Sequence, residues 1–205
     1  MFLTALYTLL MLGASIWMGI RSRSMSLGRR FFIAFYLFLL GGVGVVLIQG
    51  ESDFSLLMAS CVNQLLTLAY LLASGIGATP SRLPTGTVFL KWTVLSIVIG
   101  TSALVMSGLL LETFEALGGE VEQQGLVDLF TDGDPAEKLV TIVLVVGLAP
   151  VAEELLFRGT LLPWLCQKIG EWRGILTTGF LFGLMHFDTI TAVPPLIIFG
   201  TVLSW

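Results

Sequence analysis

The sequence predicts an all-α, polytopic transmembrane helix bundle with about six complete spans and a truncated seventh. Three observations predict it. Of the 205 residues, 56% are hydrophobic and only 12% are charged, where a soluble globular chain carries about 25% charge; the mean hydropathy is +0.95. The apolar residues fall in several long uncharged runs, each near the ~20 residues that a bilayer core needs. Charge is also sorted by sign. Basic residues cluster at Arg21–Arg30, Arg82–Lys91 and Lys168–Arg173, acids at Glu51–Asp53 and Glu112–Glu137. The net charge of −4 is therefore a topology signal and not a sign of an acidic or basic partner.

Phe2–Ile20 is the first span. No basic segment precedes it and arginines follow it, so it reads as a span with its N-terminus outside and not as a cleavable signal. A short basic loop, 21–30, leads to a second span, Phe31–Gln49, where Gly41, Gly42 and Gly44 suit close helix contact. The acidic turn at Glu51–Asp53 precedes a third span, Phe54–Ala78. It carries Asn63 and Gln64, read as interhelical hydrogen-bonding residues. Pro, Gly and Ser mark Thr79–Gly86 as a loop. Val88–Leu111 is the fourth span, with Lys91 and Trp92 as interfacial anchors. Glu112–Glu137 reads as an acidic loop carrying a short surface amphipathic helix. Within it, Asp132-Gly-Asp-Pro135 is a turn and helix start, since the spacing and closing Glu of a calcium loop are missing.

The fifth helix starts near Ala136 and runs to about Leu162, where Pro163 breaks or kinks it. Trp164–Trp172 is amphipathic and interfacial. Gly174–His186 begins the sixth span, Asp188–Pro195 is a turn, and Leu196–Trp205 is the start of a seventh helix, too short to span. Cys61 and Cys166 read as small packed hydrophobes, with no disulfide framework and no cysteine metal site.

With the N-terminus outside, the loops at 21–30, 79–91 and 163–173 are cytoplasmic and hold eight of the ten Lys and Arg. The loops at 50–53 and 112–137 are outside and hold ten of the fourteen Asp and Glu. Each loop satisfies the positive-inside rule. The expected location is the plasma membrane. Nucleic acid is excluded as a partner, because the basic stretches are short juxtamembrane loops.

The chemistry-bearing stretch is Ala149-Pro-Val-Ala-Glu-Glu-Leu-Leu-Phe-Arg-Gly159. Glu153 and Glu154 follow an uncharged run, Leu139–Leu148, and a carboxylate at such depth costs about 2.5–3.5 kcal/mol on insertion scales. Glu154 and Arg158 are i, i+4 in the favourable order, and Glu153 is rotated about 100° from Glu154. The single histidine, His186, also lies in an apolar run. Glu153 is ten residues before Pro163, about 15 Å along a helix, and His186 twelve residues after Gly174, about 18 Å. Two antiparallel helices would thus bring acid and histidine to similar depth. A carboxylate out of water suits general acid–base work, and His186 could orient the water or stabilise an oxyanion.

Each group alone has a structural alternative: a buried ion pair for Glu154 and Arg158, a satisfied core histidine for His186. Glu153, with no partner in its own turn, is hardest to explain that way, and together the groups point to function. Other chemistries fit worse. There is no His-Glu-x-x-His, one histidine cannot build a His-rich metal site, and no Gly-x-Ser-Gly nucleophile is present.

Glu153-Glu154-x-x-x-Arg158 followed by Phe182-x-x-x-His186 resembles the first two motifs of the CPBP intramembrane protease family. This family comprises Rce1-type CAAX prenyl proteases and bacteriocin-processing or immunity proteins, also called ABI. The resemblance covers Leu139–Trp205. The apolar runs and the charge pattern give N-terminal membrane helices at 1–137, with an extracytoplasmic acidic loop at 112–137, and the resemblance implies a catalytic core at 138–205. It also implies an endopeptidase acting on a membrane-anchored peptide or protein. Glu153 matches the general base, Glu154 and Arg158 the supporting pair, and His186 the first catalytic histidine. Members are often classed as metalloproteases, and a glutamate mechanism without an obligatory metal fits the prenyl proteases better. No cofactor is required by these residues; a divalent metal, if used, would fall to Glu153 and His186. The family's third motif, a second histidine followed by Asn or Asp, is expected beyond residue 205. Two alternatives stay open: an inactive interaction or immunity protein of the same fold, and a transporter with Glu153 in a proton path.

Overall fold

The computed structural model describes residues 2–50, 52–77, 86–118, 133–187 and 189–205. The predicted loop at Thr79–Gly86, the side chains of Lys91 and Trp92, the amphipathic helix within 112–137 and the start of the turn at Asp188 lie outside the described residues in whole or in part. The described residues form helices and no strand, as the composition predicts. Among them, Phe2–Ser22, Leu27–Gln49, Phe54–Ala73 and Pro135–Ile169 are long and apolar enough to cross a membrane, and shorter apolar helices accompany them.

The chain divides into two compact units. One holds Met1–Thr79 and Gln123–Trp164, the other Pro80–Glu122 and Leu165–Trp205. In the first unit, α1 (Phe2–Ser22), α2 (Leu27–Leu40), α3 (Val43–Gln49) and α4 (Asp53–Ala73) pack with the first part of α6 (Pro135–Ile169). Apolar burial gives little drive between helices in lipid, so close backbone approach through small residues matters most. A Cβ on Gly19 would lie 2.7 Å from Ala73 Cβ, and one on Gly42 would lie 2.7 Å from Ala59 Cα. Gly44 faces the Tyr7 ring. The core beneath is Ala34, Val45, Leu57, Leu66 and Leu71, with Ala152, Leu156 and Phe157 from α6.

The predicted second span is two helices that bend at Gly41 and Gly42. Bends in a membrane helix persist where neighbours satisfy the freed backbone groups. Here the Gly42 N–H donates to Asn63 Oδ1, and Tyr7 OH donates to the Gly41 carbonyl at 2.6 Å. Asn63 is thus the interhelical residue the sequence suggests. Gln64 is buried, and its Oε1 has no hydrogen-bond partner among the described residues. Ser52 and Ser55 form a reciprocal cap on α4. That helix ends at Ala73, short of the predicted Ala78, because Gly75 takes φ +84 and reverses the chain.

In the second unit, α5 (Gly86–Ala116) contains the predicted span Val88–Leu111. It continues where a loop is expected from Glu112. Glutamates propagate a helix well, and the stop comes at Gly118, φ +86. The helices α7 (Glu171–Leu184) and α8 (Val193–Ser204) are joined by a 3₁₀ turn at Ile190–Ala192. With 14 and 12 residues they are shorter than full spans. They form a tight hairpin: a Cβ on Gly179 would lie 2.6 Å from Thr201 N, and one on Gly183 would lie 2.8 Å from Ile197 N. Gly183 therefore admits a neighbouring helix. Cys166 packs against Gly174, and both cysteines are free and half-buried.

The long helix α6 differs most from expectation. Asp134 caps it, accepting from Ala136 N at 2.8 Å and Glu137 N at 2.9 Å, while Glu137 accepts from Asp134 N at 2.9 Å. This is the helix start read from Asp132–Pro135. The helix then runs through Pro163 to Ile169 instead of breaking there. Two π turns, Val143–Leu148 and Phe157–Leu161, explain how. In a regular helix a proline ring clashes with the carbonyl four residues back. For Pro150 that is Val146 and for Pro163 it is Gly159, and each lies within a widened turn. The carboxylates sit on the α-helical segment between, Ala149–Leu156.

Candidate active site

Ala152 and Leu156 turn into the core of the first unit, both with no exposed surface. The next positions around the helix, Glu153 and Glu154, are thereby carried off the packed face. Glu154 Oε1 lies 3.3 Å from Arg158 NH1, with the arginine side chain 11% exposed and the glutamate 50%. This is not a sealed ion pair. The guanidinium is sunk beside the buried Phe157, Thr160 and Leu161, while the carboxylate keeps an open side. Glu153 is half-buried, and the guanidinium feels both carboxylates, Glu154 more strongly. Arg158 itself lies in the second π turn, and such turns recur at functional sites.

His186 belongs to the second unit. The sequence reading puts it within a helix, but α7 stops at Leu184 and His186 stands in the turn after it, half-buried. Its backbone N–H donates to the Gly183 carbonyl at 3.0 Å. Its Nδ1 is 3.0 Å from the Phe182 carbonyl oxygen. A carbonyl only accepts, so Nδ1 carries a proton there, and in the neutral tautomer that fits this bond Nε2 is the acceptor. The Phe182 ring supports the imidazole at 5.3 Å between centroids. This makes the Phe182-x-x-x-His186 spacing a local unit in which the phenylalanine supplies both the ring contact and the orienting carbonyl.

The structure thus brings Glu154 and Arg158 together, keeps Glu153 beside them, and orients His186 on its own turn. Residues 135–205 match the family model described as type II CAAX prenyl endopeptidase Rce1-like. This part of the chain, about a third of its length, is similar to that family. No curated protein and no solved structure matches the chain. The Rce1-like segment opens at the Asp134-capped start of α6 and contains both π turns, Glu153, Glu154, Arg158 and His186. The match supports a CAAX-protease-like endopeptidase at family level, and the long apolar helices support an integral membrane protein. Within neither unit do three or more described His, Cys, Asp or Glu side chains come together as a metal-holding group.

Sequence reasoning missed the turn Ser74–Gly77 and what holds it. Ile76 is buried and lies where a Cβ on Gly159 would come within 2.8 Å of its Cγ2. The glycines at 75 and 77 were the available signal for a helix stop.

Proposed function

We propose that the protein is a glutamate-dependent intramembrane endopeptidase. Its substrate is a membrane-anchored peptide or protein, and Glu153, Glu154, Arg158 and His186 form its site. The observation that carries this reading is the arrangement on α6. An open-sided Glu154 carboxylate is fixed by a sunken arginine, and Glu153 stands next to it inside a membrane helix. Glu153 takes a proton from water as the hydroxide oxygen adds to the peptide carbonyl carbon. The tetrahedral intermediate then collapses, the C–N bond breaks, and the proton on Glu153 passes to the leaving amine. Glu154, neutralised in part by Arg158, keeps the guanidinium in place and lets a second carboxylate stand beside it without full repulsion.

Both roles open to His186 fall to Nε2, since Nδ1 is engaged by the Phe182 carbonyl. With Nε2 unprotonated the ring accepts from the attacking water and so orients it; with Nε2 protonated it donates to the oxyanion. The reading requires Glu153 and His186 to face the same water, and no step is assigned to a metal. The protein acts in the plasma membrane with its N-terminus outside, and residues 138–205 act as the catalytic core.

The test is cleavage of a quenched fluorogenic peptide ending in a prenylated CAAX box, in proteoliposomes. Wild-type protein is expected to cleave it with and without a chelator. His186→Ala is expected to lower the rate by about 100-fold or more while inserting normally. A wild-type protein that inserts and leaves the peptide intact would favour the interaction or immunity reading instead.

A further inference from the structure

The geometry points to Arg23 and Arg30 as positioning residues that hold the Ser74–Gly77 turn against the carboxylate-bearing stretch of α6; the catalytic consequence rests on the hydrolase reading above. The last carbonyls of a helix have no helical donor. At the end of α4 some are closed by the chain itself. Ser74 N donates to Tyr70 O at 2.8 Å, Gly75 N to Leu72 O at 3.0 Å and Ile76 N to Leu71 O at 3.0 Å, the double closure typical of a glycine-terminated helix. Two carbonyls remain, those of Ala73 and Ser74. Arg23 Nε donates to Ala73 O at 2.8 Å, and Arg30 NH1 donates to Ser74 O at 3.0 Å. Arg30 is itself fixed, with Nε on Met25 O at 3.1 Å and NH2 on Arg23 O. One planar guanidinium therefore makes two bonds to the α1–α2 loop and one to the end of α4. Positive charge is also favoured at a helix C-terminus.

The turn so fixed presses on α6. Gly159, the residue after Arg158, lies against Ile76: its Cβ would be 2.8 Å from Ile76 Cγ2. Leu155, the residue after Glu154, lies against Gly77, whose Cβ would be 3.1 Å from Leu155 Cδ2. Gly77 takes φ +80, one of several courses open to a glycine, and the arginine bonds add to the chain's own closure in selecting it. The turn bears on Gly159 within the π turn and on the Leu155 side chain just before it, each next in sequence to a member of the ion pair. The connection runs from the arginines through two carbonyls and the turn to the placement of Glu154 and Arg158. These two arginines are thus more than topology signals.

Lysine keeps the charge that sets topology and loses the planar fork, so Arg23→Lys with Arg30→Lys separates the two roles. In proteoliposomes with the prenylated CAAX peptide, this double variant is expected to lose about tenfold in kcat, the scale of a small misplacement of reacting groups, with KM held within about twofold. A second readout needs no activity. Ile76→Cys and Leu155→Cys, in a Cys61→Ser, Cys166→Ser background, should cross-link through a short bifunctional thiol reagent. Adding the two lysines should lower the yield by about threefold or more as the turn is freed. An unchanged cross-link yield would overturn the hold by the arginines. A lost cross-link with unchanged kcat would overturn the positioning role. If the wild-type protein itself leaves the peptide intact, the hydrolase reading fails, and the cross-link yield still decides whether the arginines hold the turn.

Discussion

The two units solve the same problem, polar groups in a lipid-facing bundle, in different ways. In the first, side chains reach across to a neighbour's backbone: Asn63 to Gly42, Tyr7 to Gly41, Arg23 and Arg30 to the end of α4. Hydroxyls close on their own helix in both units, as Thr67 does on Asn63 O at 2.8 Å in the first, and the α7–α8 hairpin of the second shows this kind of bond. Thr178 donates to Gly174 O at 2.8 Å, Thr201 to Ile197 O at 2.8 Å and Ser204 to Gly200 O at 2.7 Å. The α7–α8 hairpin is then held by glycine-mediated approach, which needs no bond between helices. Cross-helix polar bonds fix register and orientation, which a segment carrying two carboxylates and a guanidinium needs. Glycine packing fixes distance, which suffices to present one histidine on a turn already oriented by Phe182.

This contrast predicts a graded response to substitution. The largest loss of stability is expected at Gly183→Ala and Gly179→Ala. Their new methyl groups would meet backbone, 2.8 Å from Ile197 N and 2.6 Å from Thr201 N, and overpacking of this kind costs about 1–3 kcal/mol. Unfolding in mixed micelles checks it, and a glycine pair that tolerates alanine would remove the distance-fixing role of the hairpin. Asn63→Leu should cost less, about 0.6–1.7 kcal/mol, the range of interhelical hydrogen bonds in membranes. The same assay would show no change if the Gly42 N–H finds another acceptor. The smallest effect is expected at Thr178→Val, under about 0.5 kcal/mol, because the hydroxyl serves only its own helix. A cost as large as that of Asn63→Leu would erase the distinction between the units.

The first unit was also the more legible in sequence. The i, i+4 spacing of Glu154 and Arg158 specifies a local bond, Asp132–Pro135 a helix start, and Asn63 in an apolar run a bond to another helix, and each is found. The glycine stop at Gly75 was visible but the apolar run past it suggested a longer helix. What was not legible depends on groups far apart in the chain or on backbone register. Pro163 looks like a break because the usual clash assumes a regular helix; the π turn at Phe157–Leu161 removes that assumption. Arg23 and Arg30 looked like charges for orientation because their carbonyl partners lie about 45–50 residues away, a pairing no local spacing encodes. His186 was singled out in the sequence, while the turn that holds it and its Nδ1 bond to the Phe182 carbonyl were not.

The central claim is that Glu153 activates the attacking water. Its most direct test is the rate of peptide cleavage by Glu153→Gln in proteoliposomes, set beside wild type at equal insertion. Glutamine keeps the size of the side chain and removes its ability to take a proton. The expected result is a loss of about 1000-fold or more with insertion and the unfolding midpoint unchanged. A Glu153→Gln protein that cleaves at the wild-type rate would contradict the assignment.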